Sequence, residues 1–226
     1  MIIFLRSLIF NILFYIWTLL ITFFSSPVFF FNRKYNVKVW FFWIKVTNKI
    51  LKIVTKLSYE TKGLKKNSSN NVIYACQHQS AWDTIILPYL IGDCTIFHKK
   101  SLLFIPFFGW HLYKLGMVII TRNKGVNNLI KIISKTKKAI LDNRSILIFP
   151  HGTRTLPNSK NKIQSGVVIL YKHLNIKVVP VKLDSGKYWG RNKFLKYPGK
   201  IKVNFLKPIY PGLSPGEFRK KLEKIL

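Results

Sequence analysis

The sequence predicts an α/β fold, a mixed, largely parallel sheet flanked by helices, preceded by an N-terminal helical membrane-binding segment. Three observations carry that expectation. Short β-branched or aromatic runs alternate with helix-length segments from about residue 58 onward. An uncharged apolar stretch covers residues 7–31. A lysine-striped segment follows it at 38–57. The division expected is therefore residues 1–57 as anchor and basic interfacial helix, and residues 58–226 as the sheet-bearing domain.

The first stretch, SLIFNILFYIWTLLITFFSSPVFFF, is long enough to cross or deeply enter a bilayer. It lacks the basic leader and small-residue cleavage site of a secretory signal, so an anchor is the better reading. Pro27 is expected to end or kink its helix. In KVWFFWIKVTNKILKIVTKL, the lysines at 38, 45, 49, 52 and 56 fall on one arc of a helix turning about 100° per residue. Aromatic and aliphatic residues fill much of the remaining circumference, the pattern of a helix lying among lipid headgroups. An ordinary domain helix with a solvated lysine face is the competing reading. Arg33, Lys34 and Lys38 follow the apolar stretch while only Arg6 precedes it, which places the bulk of the chain on the cytoplasmic side.

Strands are expected at 71–76, 94–97, 117–120, 145–149, 176–181 and 200–205. The polar run at 65–71 reads as a surface loop leading into the first of them. The clearest helix is 125–142, with Val126, Leu129, Ile130, Ile133 and Ile140 in one stripe.

Composition narrows the partners. There are 38 basic and 7 acidic residues, a formal charge of +31, with mean hydropathy of +0.16. Nucleic acid and an anionic membrane face both suit such a balance. The lysines adjoin an apolar anchor, and RNP blocks and zinc-finger spacing are absent, so lipid is favoured over nucleic acid. Cys76 and Cys94 have no CxxC or metal-ligand spacing, and the five histidines share none with them. Reduced thiols and no metal site are expected.

Two polar clusters follow strands, where ligands collect in open α/β sheets. In VIYACQHQSAWDTIIL, His78 and Asp83 stand five positions apart. On a regular helix they would lie about 140° apart and never meet. They pair only if His78 precedes the helix, where the chain is still turning. A carboxylate on one imidazole nitrogen fixes the tautomer and leaves the other nitrogen as a general base. Neither Ser80 nor Cys76 sits in a nucleophile elbow, which points to direct transfer rather than a covalent intermediate. In FPHGTR, Pro150 ends a strand, Gly152 permits a tight turn, and Thr153 and Arg154 bring donors suited to phosphate. The run at 99–123 places a bulky apolar stretch before Arg122 and reads as core or as the lining of an acyl-chain site.

In this order the pieces resemble the glycerolipid acyltransferase family, and within it the 1-acyl-sn-glycerol-3-phosphate acyltransferases. The match covers residues of about 70–191: a histidine-x4-aspartate block at His78–Asp83, KKSLLFIPFFGW running on to Arg122, Phe149 to Arg154, and VVPV at Val178–Val181. The resemblance implies that His78 deprotonates the sn-2 hydroxyl of a lysophosphatidate and that Asp83 orients it. Arg154 and Arg122 would hold the acceptor phosphate, with Gly152 and Thr153 shaping that pocket. Pro106, Gly109, Val179 and Pro180 would belong to the acyl-donor or acyl-chain site. Acyl-CoA or acyl-carrier protein would be the co-substrate, with no metal or other cofactor, at a bacterial-type inner membrane. Glycerol 3-phosphate or another lysolipid as acceptor, and a non-catalytic basic membrane-surface protein, are the alternatives. One position departs from the family pattern: His151 stands where a glutamate is usual. A neighbouring phosphate favours an imidazolium, so His151 is expected to assist phosphate binding.

Overall fold

The computed structural model describes residues 1–64, 71–120, 125–157, 159 and 161–226, with backbone alone over 125–128. Apart from Asn71, the polar run expected at 65–71 therefore lies outside the described residues, as does Arg122.

The expected α/β architecture is present. Seven strands, β1 (Leu57–Lys62), β2 (Ile73–Cys76), β3 (Cys94–Lys99), β4 (Val118–Ile120), β5 (Ser145–Ile148), β6 (Val178–Leu183) and β7 (Gly199–Phe205), form one sheet in the order β1-β7-β6-β2-β5-β3-β4. All neighbours are parallel except β6 and β7. The α-helices among the described residues are α1 (Ile2–Phe24), α2 (Arg33–Thr55), α3 (Ala81–Ile91), α4 (Phe108–Lys114), α5 (Gly125–Leu141), α6 (Ser165–Leu174) and α7 (Pro215–Ile225).

Two apolar layers sandwich the sheet. Odd positions of β6 and β7, such as Val181 and Val203, pack with Trp43, Ile44 and Leu51 of α2 and Trp82 of α3. On the other face Ile73, Ala75 and Val178 pack with Val167 of α6 and Phe218 and Leu222 of α7. Strand β1 was not legible beforehand. Its run LSYETK is exposed over its second half, because it lies on the sheet edge paired only with β7. Helix α2 stops at Thr55, and Lys56 turns the chain into β1 with a left-handed φ of 56°. In α5 the buried stripe runs through Thr136 and Ala139, and Ile130 points outward, contrary to the expected stripe.

The N-terminal helices are wedded to this core. Helix α2 buries Trp40, Trp43, Ile44 and Leu51 and leaves Lys38, Lys45, Lys49 and Lys52 exposed. Helix α1 runs back along α2 with its polar residues turned inward. Thr18 Oγ1 accepts from Trp43 Nε1 at 3.0 Å. At one end of the hairpin, the His111 ring of α4 bonds Asn36 Oδ1 of α2 and lies 3.1 Å from the Thr22 carbonyl of α1. At the other, Asn11 Oδ1 accepts from Lys196 Nζ at 2.6 Å and Ser7 Oγ accepts from the Lys196 amide at 2.9 Å. The outer face carries Leu5, Ile9, Ile12, Ile16, Leu19 and Phe23, all exposed. Such an inverted helix is stable where its surroundings are apolar.

Lys196 is only 3% exposed, with its ammonium over the Trp189 ring at 4.8 Å. Burial pushes its pKa from 10.5 down to about 8. Between those values the unfolded chain binds more protons, so this group makes stability rise with pH. Compared with Lys196→Met at each pH, the wild type is expected to gain thermal stability from pH 8 to about 10.5. Parallel melting curves for the two proteins across that window would contradict this account of the buried lysine.

Candidate active site

Strand β2 lies at the centre of the sheet between β5 and β6, and the three carboxyl ends stand side by side. Each is followed by polar residues: His78 two positions beyond β2, the Phe149–Arg154 run directly beyond β5, and Ser185 two beyond β6. The expected convergence of the two polar clusters is what the structure displays.

The chain turns through residues 77–80 before α3 begins, so His78 and Asp83 meet, with Nδ1 and Oδ2 2.9 Å apart. Ser80 is the helix N-cap, and Asp83, in the first turn, closes a capping box. Asp83 is fully buried. A solitary carboxylate there would be strongly destabilising, and its oxygens are instead saturated with donors. Oδ2 accepts from the Gln79 amide at 2.7 Å and the Ser80 amide at 2.8 Å as well as from His78. Oδ1 accepts from Ser185 Oγ at 2.5 Å. With Nδ1 donating to the carboxylate, Nε2 holds the free lone pair. The His78 side chain is 12% exposed, enough for one small group to approach.

The ring is fixed from the side as well. It stacks on Phe149, centroids 4.0 Å apart and 19° from parallel. The Thr155 amide donates to the His78 carbonyl at 2.7 Å, tying the loop after β5 to the turn after β2. Gly152 adopts φ +68°, and its amide closes a turn on the Phe149 carbonyl at 2.9 Å. Arg154 is half-buried with Asp83 in its field. Burial lowers its pKa, Asp83 opposes that shift and Arg191 adds to it. Its guanidinium remains a cation throughout. Thr153 is exposed beside it.

Other expected positions fall elsewhere. His151 is buried, and burial lowers its pKa while the Glu223 carboxylate works against that. Val179 and Pro180 lie inside β6 opposite Tyr74 and Ala75, where they support the strand that leads to His78. Pro106 and Gly109 belong to the segment packed on the N-terminal hairpin, where Phe107 meets Phe23 and Phe108 meets Trp40. Gly109 permits a close approach: a Cβ there would come within 2.2 Å of the Leu103 carbonyl oxygen. Cys76 is buried with its pKa raised well above the ordinary thiol value by burial first and Asp83 second, an inert thiol rather than a nucleophile.

The acyltransferase family model matches residues 54–184. The chain belongs to the acyltransferase family. It is 29% identical over 189 residues to a 1-acyl-sn-glycerol-3-phosphate acyltransferase of Pseudomonas aeruginosa, covering 84% of this chain and 73% of that one. It is 28% identical over 172 residues to the Saccharomyces cerevisiae protein of the same name, covering 71% of this chain and 54% of that one. The crystal structure of the 1-acyl-sn-glycerophosphate (LPA) acyltransferase from Thermotoga maritima superposes with a TM-score of 0.76 at 20% identity, covering 98% of this chain and 94% of that one. That likeness extends the shared fold to the N-terminal hairpin.

Ser185 is the site residue that sequence reading of this acyltransferase missed. It follows β6 by two positions, as His78 follows β2, but β6 runs two residues past the strand end expected at 181, so the offset is visible only in the structure. Removing its hydroxyl leaves one oxygen of a buried carboxylate without its donor, a loss of about 1.5–3 kcal/mol. Ser185→Ala is therefore expected to lower kcat for acyl transfer about 10- to 100-fold, with KM for the acceptor held near the wild-type value. A matching rise in acceptor KM, or an unaltered kcat, would show that Ser185 does not position Asp83.

Proposed function

We propose that the chain transfers an acyl group from a thioester to the sn-2 hydroxyl of 1-acylglycerol 3-phosphate, yielding phosphatidate. The observation that carries this reading is an imidazole locked by a buried carboxylate, with its second nitrogen free and a half-buried guanidinium on the adjacent loop. His78 Nε2 takes the hydroxyl proton as the oxygen attacks the thioester carbonyl. Asp83 stabilises the imidazolium that forms. Collapse of the tetrahedral intermediate breaks the carbon–sulfur bond, and the imidazolium returns the proton to the departing thiolate. No enzyme nucleophile enters, in keeping with Ser80 spent as a helix cap and Cys76 buried. Arg154 holds the acceptor phosphate as a fork, with the Gly152–Thr153 turn shaping the pocket. Arg122 is its second cation in this reading, and His151 assists as a donor.

The lipid acceptor is met at a membrane surface. Helix α1 turns its apolar face outward, and Phe104 and Ile105 before α4 and Trp110 within it are exposed as well. Helix α1 is paired along α2, which shares the sheet's core and exposes a row of lysines. The hairpin thus lies in one leaflet with its ammonium groups at the headgroups, the sheet domain remaining on the cytoplasmic side. Flotation with anionic vesicles that leaves the protein behind would contradict this placement.

Purified protein given 1-acylglycerol 3-phosphate and an acyl-CoA is expected to form phosphatidate, read by mass spectrometry. His78→Ala is expected to reduce the rate about 10²- to 10⁴-fold, the range of a lost general base. Arg154→Ala is expected to act mainly on KM for the phosphate-bearing acceptor. Full activity of His78→Ala would remove the mechanism, and transfer to glycerol 3-phosphate alone would move the acceptor.

A further inference from the structure

Gln77 and Gln79, on either side of His78, face away from it into a cleft of about 910 Å³. That volume is at the upper end of what small-molecule sites occupy. Gln79 forms a partition between the cleft, which it lines with Pro157, and Asp83, to which its amide donates at 2.7 Å. The Gly186 amide donates to Gln79 Oε1 at 3.1 Å, and a Cβ at Gly186 would meet Gln79 and Pro157 at 3.0–3.1 Å. Five lysines line the cleft: Lys162, Lys182, Lys187, Lys202 and Lys224. Its two carboxylate side chains are already occupied by the protein. Asp184 accepts from the Lys202 amide at 2.8 Å and pairs with Lys187 at 3.7 Å, and Glu223 accepts from the Ile163 amide at 3.1 Å. Among the described residues, the ammonium groups of the other four lysines have no carboxylate within ion-pair distance. Ammonium groups converging on one concavity repel each other, and the arrangement is relieved when a polyanion enters.

The side of the sheet on which the cleft opens selects among anions. Even positions of β6 and β7, including Lys182 and Lys202, point to the face covered by α7, while odd positions point to α2. The cleft therefore opens on the side opposite the apolar hairpin, toward water rather than headgroups. In the acyl-transfer reading the acceptor phosphate is taken by Arg154, which does not line this cleft. We propose that this lysine cleft binds the nucleotide end of coenzyme A, whose 3′-phosphate and pyrophosphate supply three phosphoryl groups to the lysines. The assignment rests on the acyl-transfer reading above. The pantetheine arm is about as long as four or five extended residues, ~15 Å, so it spans from the cleft across the partition to His78, the chain neighbour of Gln77 and Gln79. The donor thus arrives from the aqueous side of the turn and the lipid acceptor from the membrane side.

The test uses the full chain and the double variant Lys182→Ala/Lys202→Ala, both side chains being exposed and free of packing duties. Free coenzyme A is titrated calorimetrically at low salt, and kcat/KM is measured with acyl-CoA and with the matching S-acyl-pantetheine. We expect the double variant to raise the Kd of coenzyme A at least tenfold. The acyl-CoA to acyl-pantetheine ratio of kcat/KM should fall by a similar factor, because the truncated donor lacks the phosphates. An unchanged Kd, an equal loss with both donors, or a loss seen only with acyl-carrier protein as donor would overturn the assignment. So would a fall in binding to anionic vesicles with coenzyme A affinity intact. A wild-type chain that binds coenzyme A through these lysines yet transfers no acyl group would remove the acyl-transfer reading and retain the nucleotide site.

Discussion

The buried carboxylate of Asp83 is the constraint on which the site depends. Four donors converge on it from two strand ends: His78 and the Gln79 and Ser80 amides after β2, and Ser185 after β6. The stacked Phe149 and the Thr155 amide bring in the loop after β5. A carboxylate cannot be stranded in such a place without its donors, so the loops after β2 and β6 are held in register by the requirement to satisfy it, and the loop after β5 is tied to them through His78. The same bonds that make burial tolerable also choose the tautomer of His78. Stability of the turn and orientation of the imidazole are one arrangement.

A second dependence runs from the site to the N-terminal hairpin. The segment that carries Ser185 continues to Trp189, which meets Phe10 of α1 edge-on at 5.6 Å, and to Lys196, which bonds Asn11. Polar residues that would be out of place on a lipid-facing helix are thereby used inward, and the apolar ones are left for the surface. The hairpin is a layer of the domain rather than a tether. Its packing on α4 also accounts for the IPFFG run, where Gly109 lies against the Leu103 carbonyl and Phe108 between Trp40 and Trp43.

Much of this was legible in the residues, and the misses have physical causes. Six strands announced themselves as β-branched or aromatic runs, most plainly β2 and β5, which are buried along their whole length. Strand β1 escaped notice because an edge strand carries Ser, Glu and Lys and is recognised only by the partner it pairs with, 142 positions on in the register of Leu57 with Gly199. The stripe of α5 drifted off Ile130 because the sheet, rather than helix periodicity alone, sets which side is buried. His78 and Asp83 were legible as a pair only if the chain turned between them, and the capping box at Ser80 is what makes it turn. Ser185 lies 102 positions from Asp83, a contact no local pattern encodes. His151 is placed with Glu223 in its field, and its burial favours the neutral ring, so proximity in sequence to Arg154 does not make it a second cation in the ligand-free protein.

The central claim is that His78, held by Asp83, moves the acyl group directly from thioester to hydroxyl with no acyl-enzyme between them. Intact-protein mass spectrometry on the enzyme mixed with acyl-CoA, before and after adding 1-acylglycerol 3-phosphate, tests it most directly. The account predicts an unmodified protein mass at every time point while phosphatidate accumulates. A protein heavier by one acyl group, discharged when the lysolipid is added, would contradict it.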